Sequence, residues 1–279
     1  MFSTLLVVIF FIAQLSVGAL ASFNASLRCG TITPSPSERL RIGSDFDRRR
    51  KALRQDHRME PIEVPVIFYV VYDQPSREGG LIDDNPMMIE QLNVLDAAYA
   101  KSGISFNLHN VVYFHAPEYY RKAYPGNQQS ADMMNSVRTG GAETLNIYLV
   151  GFVEPPPNSP PILGYATFPW DSKNAPDLDA TATHQVGHWL GLFHTFQTDD
   201  NEPKCEYGNG DFVADTPPQN GASSGCPIDR DSCPDDEGLT VDPIHNFMDL
   251  SDDACMNEFT IGQSQRLLDQ CAAYRKPVA

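Results

Sequence analysis

Residues 184–194 read His184-Gln185-Val186-Gly187-His188-Trp189-Leu190-Gly191-Leu192-Phe193-His194. Side chains four apart share one face of a helix, so His184 and His188 can present two imidazoles to one ion. Gly191 lets the chain bend so that His194 can supply a third nitrogen. Three neutral imidazoles make a zinc site whose fourth position stays open. Three of the seven histidines of this chain fall within these eleven residues. The stretch therefore predicts a short helix, a glycine bend and a three-histidine zinc centre.

Upstream of that centre the chain alternates strands and helices. Val64–Tyr72 is apolar, β-branched and aromatic, as expected of a strand buried on both faces. A helix follows, with Asn85 as its cap, Pro86 in its first turn, a stripe of Met88, Leu92, Leu95 and Tyr99, and Gly103 as its stop. Ile104, Phe106 and Leu108 alternate as a strand. A helix from Ser130 carries Met133, Met134 and Val137 inward, and a strand at residues 145–150 follows it. The prolines at 155, 156, 157, 160 and 161 stiffen the next loop, which places Leu163–Phe168 as an edge strand able to pair with an extended peptide. Downstream, Thr260 and Gln263 form the capping box of a closing helix with Leu267, Leu268, Cys271 and Tyr274 on or near its apolar side.

Charge and cysteine content set the compartment. Asp and Glu outnumber Lys and Arg by 36 to 20, and the net charge of −16 repels phosphate backbones and anionic lipid. No nucleic-acid or membrane partner is expected. Residues 5–13 are apolar but too short to span a bilayer, and Ala19-Leu20-Ala21 follows, so residues 1–21 are expected to be a secretory leader. Asn24-Ala25-Ser26 is a glycosylation sequon beside the new N-terminus. Six cysteines in an exported chain imply disulfides, and four of them (Cys205, Cys226, Cys233, Cys255) lie in a stretch rich in Gly, Pro, Asp and Asn. Between Arg39 and Arg58 there are eight basic residues against three acidic ones, which fits a solvated helix face or a cleavable pro-segment.

The chain resembles the pappalysin-like branch of the metzincin zinc metalloproteases, and within it the fungal extracellular members. The likeness rests on ATATHQVGHWLGLFHTF at residues 180–196, VADTPPQ at 213–219, GCPIDRDSCP at 225–234 and HNFMDLSDDACMNEFT at 245–260. It implies an α+β zincin domain over residues 59–279: a twisted mixed sheet, an active-site helix and a disulfide-rich C-terminal subdomain. It implies zinc, one per chain, on His184, His188 and His194, with Met248 as the Met-turn residue beneath it. Crossed bridges Cys205–Cys233 and Cys226–Cys255 are implied as well. Residues 22–58 would be the N-terminal segment, with Cys29 in Arg28-Cys29-Gly30-Thr31 as a cysteine switch held on zinc until cleavage near Arg48–Lys51 or at Arg58. A structural Cys29–Cys271 bridge is the alternative. Asp211, Asp215 and Thr216 correspond to a region that binds calcium in some relatives.

The chain also departs from that pattern. Gln185 stands where the family has the glutamate that takes a proton from water and returns it to the leaving amine, and Leu250 stands where a tyrosine commonly stabilises the oxyanion. Only 15 residues separate Phe168 from His184, where the fungal relatives carry a longer insertion. Two readings follow. One is a monomeric, secreted zinc endopeptidase acting on extracellular proteins or peptides with weakened catalysis. The other is a zinc-binding pseudoprotease that holds peptides along Leu163–Phe168 without cutting them.

Overall fold

A computed structural model describes residues 29–53, 61–82, 85–171, 182–197, 205, 210–234 and 241–275. The leader, Asn24, Arg28, Arg58 and the shortened stretch at 172–181 lie outside the described residues. In chain order the elements are α1 (Pro36–Leu53), β1 (Ile62–Tyr72), α2 (Asn85–Tyr99), β2 (Ile104–His115), α3 (Pro117–Lys122), α4 (Gln128–Val137), β3 (Leu145–Leu149), α5 (Ala182–Trp189) and α6 (Ile261–Gln270).

β1 is the central strand, flanked by β2 and β3 in the order β2-β1-β3. Its alternation feeds two cores. Val64, Val66, Phe68 and Val70 pack with Leu92, Leu95 and Tyr99 of α2, Val186 and Trp189 of α5, and Met248. Ile67, Tyr69 and Val71 face the other way, onto Met133, Met134, Tyr148, Ile162 and Tyr165. With both faces covered, the strand can be a continuous apolar run. All described strand pairs are parallel, and β2 shifts register against β1 between Val66 and Ile67. The α+β class is as expected, but an antiparallel member of a mixed sheet is not among the described residues.

Local signals explain most boundaries. Asn127 caps α4 by accepting from Ser130 N, so that helix starts at Gln128, ahead of the expected Ser130. Gly103 closes the turn after α2 at φ 70°, and the Thr260–Gln263 capping box is formed at α6. Thr260→Ala removes one half of that box and is expected to lower stability by about 1 kcal/mol, read from urea midpoints.

One expectation fails. Leu163–Phe168 is not a ladder strand of the sheet, but it does meet an extended segment, the chain's own N-terminal one. Gly30 N donates to Gly164 O at 2.7 Å, Cys29 and Gly164 form an isolated parallel bridge, and Ala166 N donates to Thr31 Oγ1 at 2.9 Å.

The described part of the basic block, residues 39–53, lies in a helix. In α1, Ile42 and Phe46 are buried, while Arg48 and Arg49 pair with Asp45 and Arg50 pairs with Asp47 and, at 3.8 Å, with Asp269 of α6. A protease that cuts at Arg48–Lys51 must first open this end of the helix.

Candidate metal centre

α5 is held in place before it presents any ligand. Tyr99 donates its hydroxyl to Thr183 O at 2.8 Å, and Gly187 sits so close to Met248 that a Cβ there would collide with its sulfur. At the other end Leu192 N donates to Gly187 O and Gly191 N donates to His188 O, with Gly191 at φ 94°. This is the Schellman arrangement, and glycine is the residue that takes the left-handed position at little cost. Arg266 Nε donates to Gly191 O at 3.1 Å and Arg275 Nη2 to Trp189 O at 2.7 Å, fixing the bend from behind. Gly187→Ala is expected to destabilise the fold by about 1–3 kcal/mol through overpacking against Met248, read by chemical denaturation.

The bend brings His194 to His188. The Nε2 atoms of His188 and His184 are 3.1 Å apart, and those of His188 and His194 are 3.2 Å apart. Cys29 Sγ lies 3.5 Å from His188 Nε2, and the four ligand atoms fall within 4.8 Å of one another. His184 Nδ1 donates to Phe247 O at 2.7 Å and His188 Nδ1 to Leu192 O at 2.8 Å. Carbonyls only accept, so both Nδ1 atoms carry the proton and both Nε2 lone pairs point inward. Two such acceptors at 3.1 Å repel unless a cation stands between them. Three inward imidazole nitrogens and a thiol are a donor set suited to zinc.

The electrostatics agree. Burial disfavours an ionised Cys29, but the three surrounding histidines outweigh it and hold the thiol well below its ordinary range. Burial takes His188 down to about 4 against the opposing pull of Cys29, keeping the imidazole neutral and free to ligate. Phe168 approaches His188 edge-on at 5.3 Å, and Phe196 stacks on His194 at 4.7 Å.

Gln185 is fully buried in this centre. Its Oε1 accepts from Thr31 Oγ1 at 2.8 Å and its Nε2 donates to Cys29 Sγ at 3.3 Å. Cys29 and Cys271 are not bridged to each other, while Cys205 is joined to Cys233 and Cys226 to Cys255. Leu250 is buried.

Sequence patterning gave Thr31 no contact of its own and missed a buried network behind the site. Thr195 Oγ1 donates to Gln219 Oε1 at 2.7 Å, and Gln219 Nε2 donates to Asp249 Oδ1 at 3.0 Å. Ser223 N donates to the same Asp249 oxygen at 3.0 Å, and Thr195 N donates to Met248 O at 3.2 Å. Residues next to His194 and Met248 are thereby tied together. The polar residues of VADTPPQ were the available signal.

Of the residues suggested for calcium, Asp215 accepts from Thr260 Oγ1 and Gly262 N at the start of α6, and Asp211 and Thr216 are buried. Among the described residues, the cluster of three or more His, Cys, Asp or Glu side chains able to hold a metal is the one built on Cys29. Asp211 is buried, and desolvation raises its carboxyl to about 7 even though Val213 N donates to it. A carboxyl that holds its proton more tightly when folded favours folding at low pH. Its stabilising preference is fully present below about pH 4 and is lost as pH rises through about 7. Asp211→Asn is expected to flatten that decline and to be more stable at pH 8, by up to roughly 4 kcal/mol, in urea titrations across pH.

Comparison with known proteins now decides the family. An "Extracellular metalloprotease 1" of Coccidioides posadasii is 42% identical over 234 residues, covering 77% of this chain and 79% of that protein. An "Extracellular metalloprotease" of Verticillium alfalfae is 35% identical over 280 residues, covering 92% and 94%. This chain belongs to the extracellular metalloprotease family. The sequence profile described as pregnancy-associated plasma protein-A, a peptidase family, matches residues 162–272, which include all three histidines. The relatives are extracellular by name, which places this family member among secreted proteins, and a metalloprotease family implies zinc. The fold is that of Tannerella forsythia promirolysin: a variant of that protein superposes with TM-score 0.66 at 22% identity, over 88% of this chain and 94% of the other. Mature mirolysin with a cleaved peptide superposes with TM-score 0.58 at 23% identity, over 75% and 90%.

Proposed function

We propose that this protein binds one zinc ion through His184, His188 and His194, with Cys29 as the fourth ligand while the N-terminal segment is seated. Its cleft derives from peptide-bond hydrolysis of extracellular proteins, with catalysis weakened at two positions. Zinc in such a donor set supplies Lewis acidity and a water of lowered pKa. The chain's own task is to move the proton, and the observation that supports assigning this place to Gln185 is its full burial at the centre, with its amide on Thr31 and Cys29. A carboxamide can orient a water by hydrogen bonds, but at neutral pH it neither accepts nor returns a proton. Leu250 offers no donor to an oxyanion. Met248 supports the helix beneath the histidines, and the Cys29 sulfur blocks the open position until the segment leaves.

The test is chelator-sensitive cleavage of a diverse peptide pool after proteolytic release of the N-terminal segment. Slow, zinc-dependent cleavage is expected. Rates typical of an efficient protease would overturn the weakened reading, and complete silence would favour a pseudoprotease that binds peptides without cutting them.

A further inference from the structure

The contacts around residues 29–31 amount to a reading of that tripeptide. Cys29 is met by His188 and by the Gln185 Nε2 donor. Gly30 donates to Gly164 O, and a Cβ in its place would come within 2.8 Å of Ile162 Cδ1 and 3.0 Å of Pro125 Cγ, so a larger residue there must push the Ile162 side chain aside. Thr31 uses its hydroxyl twice, accepting from Ala166 N and donating to Gln185 Oε1. Gln185 thus spans the segment, with one end on Cys29 and the other on Thr31. A glutamate has two acceptors and no donor, so it could satisfy Thr31 but not face the sulfur with a hydrogen. The residue that weakens catalysis is also the residue that completes the grip.

The segment has a second anchor. Phe46 of α1 packs under the Arg266 guanidinium at 5.2 Å, and that same Arg266 holds the Gly191 carbonyl. Tyr274 donates its hydroxyl to Asp45 at 3.1 Å, with Arg49 over its ring.

We propose that Gln185 makes the cleft a receptor for the chain's own Cys29-Gly30-Thr31, a latch that keeps the N-terminal segment seated as a lasting ligand rather than a readily released inhibitor. This rests on the reading of Gln185 as the occupant of the proton-acceptor position. The ligand class is an extended peptide bearing a thiol, a bare glycine and a hydroxyl in succession.

Amide hydrogen exchange at Gly30 in the full chain reads the latch directly, because that amide is bonded across the cleft to Gly164 O. The parent, Gln185→Glu and Thr31→Val are compared with zinc and again in chelator, with β1 amides reporting global folding. Gln185→Glu is expected to speed Gly30 exchange roughly 5- to 30-fold, the worth of one or two hydrogen bonds, with β1 unchanged. Equal Gly30 exchange in the parent and in Gln185→Glu, with or without zinc, overturns the proposal. Should Gln185→Glu lose β1 protection, Thr31→Val decides on the same criterion, by faster or equal exchange at Gly30. The chelated arm separates the two readings: a failed zinc site appears as no zinc effect in the parent and leaves the comparison between glutamine and glutamate intact.

Discussion

Gln185→Glu raises chelator-sensitive peptide hydrolysis by about 10²- to 10⁴-fold over the parent, the usual worth of a positioned proton acceptor. The carboxamide is fully buried at the three-histidine centre, so a carboxylate of nearly the same volume fits without repacking. Adding Leu250→Tyr supplies an oxyanion donor worth up to roughly 10²–10³ more, with a smaller increment wherever the two groups act as a unit. The measurement is initial rate on a peptide pool after release of the N-terminal segment, with and without chelator. Glutamate also removes the hydrogen offered to Cys29 Sγ, so the variant should shed its segment more readily before that release step. A parent chain as fast as the variant would mean that Gln185 does not occupy the proton-transfer position.

His188→Ala abolishes stoichiometric zinc binding. His188 is the hub of the centre: its Nε2 lies 3.1 Å from that of His184, 3.2 Å from that of His194 and 3.5 Å from Cys29 Sγ, and its other nitrogen is fixed on Leu192 O. A ligand that binds only the folded chain stabilises it by about 4 kcal/mol when present at a thousand times its Kd. The parent should therefore gain that much in zinc, as a shift in denaturation midpoint, and the variant should gain none. Metal analysis should fall from one zinc per chain to none. An unchanged zinc content in His188→Ala would remove this residue from the ligand set.

The metal-binding stretch was legible because its chemistry is local. Two histidines at helical spacing and a glycine at the bend are short-range features, and the Schellman hydrogen bonds around Gly191 follow from them. β1 and α2 were legible for a similar reason, since a doubly buried strand and an apolar helix stripe leave periodic marks. Leu163–Phe168 misled because its pattern fits an edge strand, while its partner, Cys29-Gly30-Thr31, comes from more than a hundred residues earlier in the chain. Whether Cys29 meets Cys271 or the histidines is likewise a question of three-dimensional proximity, which spacing does not encode. The polar network from Thr195 through Gln219 to Asp249 joins residues with no shared period. Its members become visible only when the loops that carry them are packed together.

Zinc-edge X-ray absorption on the full chain is the most direct test of the centre. Three nitrogen scatterers at about 2.0–2.1 Å and one sulfur at about 2.3 Å are predicted, with the sulfur lost in Cys29→Ser. A shell of nitrogen and oxygen alone in the parent, or a sulfur that persists in Cys29→Ser, would contradict a metal centre closed by the N-terminal thiol.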